Sequence, residues 1–314
     1  MTLAAPIRRA ATRTVVLDRS LEALPLFRLS DSAEEGAISY APEGGGRWRV
    51  LPAPGDRLPG TFDQDVYVEL MHRYGDAGSP EDGAVTFTLH AFLRSIGRRV
   101  DGRTYEQLRS ALTRLERTTL ESGGVYGVAS EPPLEGSFTL LSSVTIERRR
   151  LTDRDQLALF SSLAASEPGD ARVIISPLMR ANIAAGATVA LSLPQYQSLS
   201  NPVARRLYRL LNVIRTESGG TDGPDRSDRS DRSDQIVWRV PLERLAARLP
   251  LTQRYPSHLQ RVLIPAHEML ITAGLLRDAS FQQTDRDWHV EYALAPALAS
   301  VPASAVATRN HMAP

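Results

Sequence analysis

Hydrophobic and polar positions alternate with two periods along this chain, and the two periods come in the same order twice. Apolar residues at helical spacing predict a helix over Phe62–Tyr74. Strict alternation over Val85–Leu89 predicts a short strand, followed by a helix over His90–Ile96. After Gly97 and the turn Asp101-Gly102 comes a longer helix, Arg103–Arg117. Thr118–Glu121, a turn at Ser122-Gly123-Gly124 and a later strand at Phe138–Ile146 complete the first unit. A second unit begins with a helix over Pro202–Arg215. It continues with a strand at Ile236–Val240, a helix at Leu242–Leu249 and a helix at Pro256–Ala273 stopped by Gly274. Leu275–Phe281 and Trp288–Leu294 form a hairpin across Asp285-Arg286-Asp287.

The two units share an offset of 151 residues, which pairs Phe87 with Trp238 and Leu89 with Val240. The same offset pairs Leu108 with Leu259, Ala111 with Val262, Leu112 with Leu263, Leu115 with Ala266 and Arg103 with Arg254. Helix, strand, helix, helix, hairpin is the order of a winged helix. The expected fold is therefore α+β, with two tandem winged-helix domains over residues 61–200 and 201–296. An extended arm over 1–60 precedes them, with little core of its own and a hairpin of Ile38–Tyr40 with Trp48–Leu51 across Pro42–Gly46. A flexible linker or loop is expected at 217–235, where Asp-Arg-Ser occurs three times from Asp225 to Ser233, and a tail at 297–314.

Composition adds bounds. The 314 residues are 42% hydrophobic and include no cysteine, which removes disulfides and cysteine zinc sites. No stretch of about 18 apolar residues occurs, and the N-terminus lacks a signal-peptide core, so a cytoplasmic protein is the default expectation. Net charge is only +1, and all 37 basic residues are arginines. The charge is segregated along the chain. Arg94–Arg117 carries a surplus of basic residues, Arg172–Arg215 holds six arginines and no acid, and the acids collect at 31–35, 63–82 and 217–234. A basic face can exist under a neutral total, and only the face meets phosphates.

Two helices carry the candidate DNA contacts. On Arg103–Arg117, Leu108, Ala111, Leu112 and Leu115 share one face. Arg103, Gln107, Ser110, Arg114 and Arg117 lie opposite, within roughly 80° of arc. That stripe holds no acid, and arginine and glutamine are the residues that read guanine and adenine. On Pro256–Ala273, the residues opposite the apolar stripe are Arg254, Ser257, His258 and Arg261, near the helix start where recognition helices touch bases. Pro265 predicts a kink or a later helix start. A third basic helix carries Arg205 and Arg209 one turn apart, spaced either to clamp a phosphate or to be solvated on a surface helix. Leu207, Leu210, Leu211 and Ile214 form its buried stripe.

The chemistry of catalysis is missing. There is no Walker A sequence, no His-x-His pair and no Gly-x-Ser-x-Gly. His258 and His267 have no partner spaced for a metal. No enzyme activity, cofactor or metal is expected.

Five segments in order resemble the plasmid replication initiator protein A family, a relative of the iteron-binding initiators. They are Leu24–Ser30, Thr61–Tyr67, Arg103–Leu108 with Leu112 and Leu115, Asn201–Tyr208, and Val262–Met269 with its Val-Leu-Ile-Pro-Ala run. The resemblance covers most of residues 24–294. It implies double-stranded DNA as partner, at repeats of a plasmid or secondary-replicon origin. It also implies a homodimer, contacts with the host initiator and helicase, a nucleoid or plasmid location and no membrane. A winged-helix transcriptional regulator or partition-type DNA-binding protein is the alternative.

Overall fold

The computed structural model describes residues 13–30, 36–128, 131–146, 170–219, 236–253, 255–284 and 287–295. The Asp-Arg-Ser repeat, Arg254, the tail from 296 and the residues at 285–286 of the last hairpin lie outside them.

The first unit is built on α2 (Thr61–Asp76), β4 (Ala84–Thr88), α3 (Leu89–Ser95) and α4 (Gly102–Arg117). Thr88 ends the strand and caps the next helix, since its side chain accepts from the Ala91 N–H. After α4 come β5 (Thr119–Gly123), β6 (Glu135–Phe138), β7 (Leu141–Ile146) and β8 (Asp170–Ile175). The single strand expected at 138–146 is thus two, and they belong to different sheets. Thr139 and Leu140 turn the chain, β6 pairs with β5, and β7 pairs with β8. β8 also pairs with β4, giving the strand order β4-β8-β7.

The second unit repeats this order. It consists of α7 (Pro202–Gly219), β10 (Val237–Pro241), α8 (Leu242–Arg248), α9 (Pro256–Thr272), β11 (Leu276–Gln283) and β12 (Trp288–Leu294). Its sheet runs β10-β12-β11, so the last strand lies centrally in both units. The two units do not share one offset. The strand-to-helix junctions Thr88/Leu89 and Pro241/Leu242 match two residues away from 151. The long helices keep the offset of 151 in their buried positions, with Leu108 and Leu112 matching Leu259 and Leu263. α9 is closed off by Gly274 just past its C-cap Ala273; the φ of 70° at Gly274 lets its N–H reach the Ile271 carbonyl while Leu275 N–H reaches Leu270.

Residues 13–30 and 36–60 are a structural part of the fold rather than an arm with little core. β1 (Thr14–Asp18) pairs antiparallel with β9 (Thr188–Ser192), with Thr14 opposite Ser192. Val15, Leu17, Leu21, Leu24, Leu26, Phe27, Trp48 and Val50 are buried, and Trp48 donates its indole N–H to the Pro25 carbonyl at 2.7 Å. The expected hairpin forms between β2 (Ile38–Tyr40) and β3 (Arg47–Leu51), and it extends through β5 to β6. Gly46 takes φ 86° at its turn, where a Cβ would stand 2.6 Å from the Gly123 carbonyl. Two short helices escape the periodicity, α5 (Pro177–Ala184) and α6 (Leu193–Ser198), as does the four-residue α1 (Arg19–Glu22).

Candidate nucleic-acid interface

α4 begins at a capping box. Asp101 accepts from the Thr104 N–H at 2.9 Å, and Thr104 Oγ1 accepts from the Asp101 N–H at 3.1 Å. Tyr105, Leu108, Ala111, Leu112 and Leu115 are buried as expected. Arg103, Gln107, Ser110 and Arg117 are exposed on the other side, and Arg117 pairs with Asp56 at 3.0 Å. Glu106, next to this face, is neutralised by Arg109.

Arg114 does not belong to the exposed stripe. It is 7% exposed, and its Nε and Nη2 lie 3.0 and 2.8 Å from Asp63 Oδ1. Asp63 sits in the first turn of α2, where it caps Gly60 N–H at 2.8 Å. Burial raises its pKa and Arg114 opposes that rise. A carboxylate at this depth requires a charged partner, and the long arginine stem reaches back from the helix face to supply it.

The arginines of α7 are also interior. Arg206 and Arg209 are each 1% exposed. Arg209 Nη1 donates to both oxygens of Glu22, at 2.9 and 2.8 Å, and its Nη2 donates to Gln64 Oε1 at 2.9 Å. Its guanidinium lies over the rings of Phe27 and Tyr67. Burial is the largest single effect and lowers its pKa, but the Glu22 charge, the Tyr196 and Tyr67 phenols and the hydrogen bond to Glu22 together outweigh it and hold the pKa above the usual arginine value. Arg206 donates to the carbonyls of Glu22, Leu24 and Arg248, joining the N-terminal segment to the second unit. Burial pushes its pKa down to about 9, which still leaves it charged at neutral pH. Arg205 reaches Asp65 at 2.5 Å and the Leu199 carbonyl at 2.6 Å, and lies over Tyr196.

Neither a phosphate clamp nor a solvated helix describes Arg205 and Arg209. The acids that neutralise them come from Glu22 and Asp65, far away in sequence. Leu207, Leu210, Leu211 and Ile214 are buried too, so α7 is covered on nearly every side. Three of the five family-like segments meet here. Leu24–Ser30 lends a backbone carbonyl and Phe27, Thr61–Tyr67 lends Gln64, Asp65 and Tyr67, and Asn201–Tyr208 lends two arginines, with Arg209 just beyond its end.

α9 presents Ser257, His258 and Arg261 to solvent, with Leu259, Leu263, Ala266, His267 and Leu270 buried beneath. It starts at Pro256 and is helical through Pro265, so the helix does not begin late. Pro265 is exposed and leaves the Arg261 carbonyl without its helical donor. His267 is a core residue. It bonds Tyr292 Oη at 2.8 Å, packs against Phe281 and Tyr292, and burial lowers its pKa to about 4. Among the described residues no group of His, Asp or Glu is arranged to hold a metal ion. Tyr255, which the sequence pattern did not single out, precedes the helix and is 68% exposed.

A family model described as replication initiator protein A matches residues 17–227. A putative replication protein of Wigglesworthia glossinidia brevipalpis is 33% identical over 92 residues, 28% of this chain and 33% of that protein. The match therefore spans about a third of that relative's length. The crystal structure of domains 2 and 3 of RctB shares the fold, with a TM-score of 0.54 at 11% identity, covering 87% of this chain and 95% of that one. Among the described residues no helix is long and apolar enough to cross a membrane.

Proposed function

Because this chain belongs to the replication initiator protein A family, we propose that it initiates replication by binding repeated duplex DNA sequences at an origin, through two winged-helix units. The observation that carries this reading is the exposed, mainly uncharged and basic face on the same helix of both topologically equivalent units. α9 offers Ser257, His258 and Arg261 for base readout, with Arg254 next to them in sequence. α4 offers Arg103, Gln107, Ser110 and Arg117 for phosphate and base contacts. Hydrogen-bonding arginine and glutamine suit the major-groove edges of guanine and adenine. The last strand of each three-stranded sheet, β8 and β12, lies between its two neighbours, which supports the winged-helix reading. The protein acts without catalysis of its own, as a homodimer that engages the host initiator and helicase, on a plasmid or secondary replicon.

Footprinting on DNA flanking its own gene tests the reading. Protection of tandem repeats that confer replication on a linked plasmid is expected. Protection of one isolated promoter site, with no replication activity, would make the protein a transcriptional regulator instead.

A further inference from the structure

Among the described residues, neither helix capping nor burial accounts for a tyrosine at position 255. Tyr255 occupies the N-cap of α9 and makes no side-chain capping bond. Ser, Thr, Asp and Asn fill that position when capping is the purpose. Its side chain is not core either, since it is 68% exposed. Among the described residues its phenol has no hydrogen-bond partner. Its ring meets the edge of His258, with centroids 5.6 Å apart and planes at 80°.

The position is also rigid. The following Pro256 confines Tyr255 to extended backbone, observed at φ −87° and ψ 136°, and Pro256 opens the helix. The backbone that carries the ring is thus set before any partner arrives, which lowers the part of the ordering cost that the main chain would add. Around it are Ser257, His258 and Arg261, all exposed. The first acid along α9 is Glu268, about two turns beyond Arg261. An exposed ring inside a polar, basic, acid-free face is complementary to a surface that is anionic at its rim and carries apolar groups in its groove. Duplex DNA has that character, and its apolar group in the major groove is the C5 methyl of thymine.

We infer that Tyr255 reads a thymine methyl in the major groove beside the base or phosphate held by Arg261. This rests on the proposed DNA reading of α9 and names the base it selects.

The full chain selects binders from a pool of randomised duplexes, in parallel with Tyr255→Ala, Tyr255→Phe and Arg261→Ala. The wild-type motif is expected to hold one thymine whose preference vanishes in Tyr255→Ala and persists in Tyr255→Phe. Arg261→Ala should lose a different position or affinity in general. Replacing that thymine by uracil removes only the methyl. This should weaken wild-type binding about 4-fold, the value of one buried methyl group, and leave Tyr255→Ala unaffected. An unchanged motif in Tyr255→Ala overturns the role of Tyr255 while DNA binding stands. Selection of no motif by the wild type overturns both. Thermal melting should be the same for all three variants, since these side chains are exposed.

Discussion

Arg209 grips Glu22 with both carboxylate oxygens within 2.9 Å, across 187 residues of chain and with both side chains out of reach of water. Removing one partner leaves the other charge buried and uncompensated, which costs about 3–5 kcal/mol. Arg209→Ala and Glu22→Gln are each expected to lower the unfolding free energy by that amount, read as a lower urea midpoint at unchanged m. At temperatures where the variants remain folded, the slope of DNA affinity against salt should match the wild type. A slope smaller by about one, with unaltered stability, would return Arg209 to the DNA surface.

This pair explains what the sequence could and could not convey. The apolar stripes of α4, α7 and α9 were legible because a 3.6-residue period is local, and Leu108, Leu207 and Leu259 are all buried. The repeat was legible in its order but not in one register. The arginines of α7 were misleading because charge segregated along the chain is recombined in space. Glu22 and Asp65 arrive from other segments to neutralise a run that looks uniformly basic. A helix wheel also places Arg114 with its solvent-facing neighbours, since it knows the Cα direction and not the reach of the side chain to Asp63. β1, β8 and β9 were missed because their pairing partners are distant, and α5 and α6 are too short to show a period.

The buried titratable groups set opposite pH trends. Burial pushes the Asp18 carboxyl up to about 6, against hydrogen bonds from Tyr126 and Asn182. The folded state then holds this proton where the unfolded chain, near 3.8, has released it. The contribution of Asp18 is full below about pH 4 and is lost as pH rises through 6. His267 behaves inversely. Its folded value of about 4 lies below 6.5, so its contribution is present above pH 6.5 and is lost as pH falls towards 4. His267→Gln is expected to retain more of its own pH 7 stability on acidification than the wild type does. Melting temperatures at intervals between pH 7 and 4.5 check this, and parallel profiles would count against it.

Pro265 sits inside α9 on the exposed side, where no packing demands its ring. Pro265→Ala restores the N–H that bonds the Arg261 carbonyl and removes the clash with that carbonyl. A gain of up to about 3 kcal/mol is expected, read as a higher melting temperature with unchanged circular dichroism at 25 °C. A loss of stability would show that the proline shapes α9 in a way the fold depends on.

The helices α4 and α9 separate two kinds of arginine that the sequence presents alike. Arg103→Ala removes an exposed cation and should weaken binding to all duplexes, reducing the salt slope by about one, with no change in melting. Arg261→Ala should cost about 1–3 kcal/mol on the preferred site and less on random DNA, relaxing preference at one position. Arg114→Ala should do neither at a temperature where it is folded. It leaves Asp63 buried without its cation, so its effect is lost stability of about 3–5 kcal/mol. Binding isotherms on specific and random duplexes at several salt concentrations, beside urea titrations, resolve all three. If Arg114→Ala reduces the salt slope while its urea midpoint holds, then Arg114 leaves Asp63 to bind DNA, and the exposed face of α4 includes it after all.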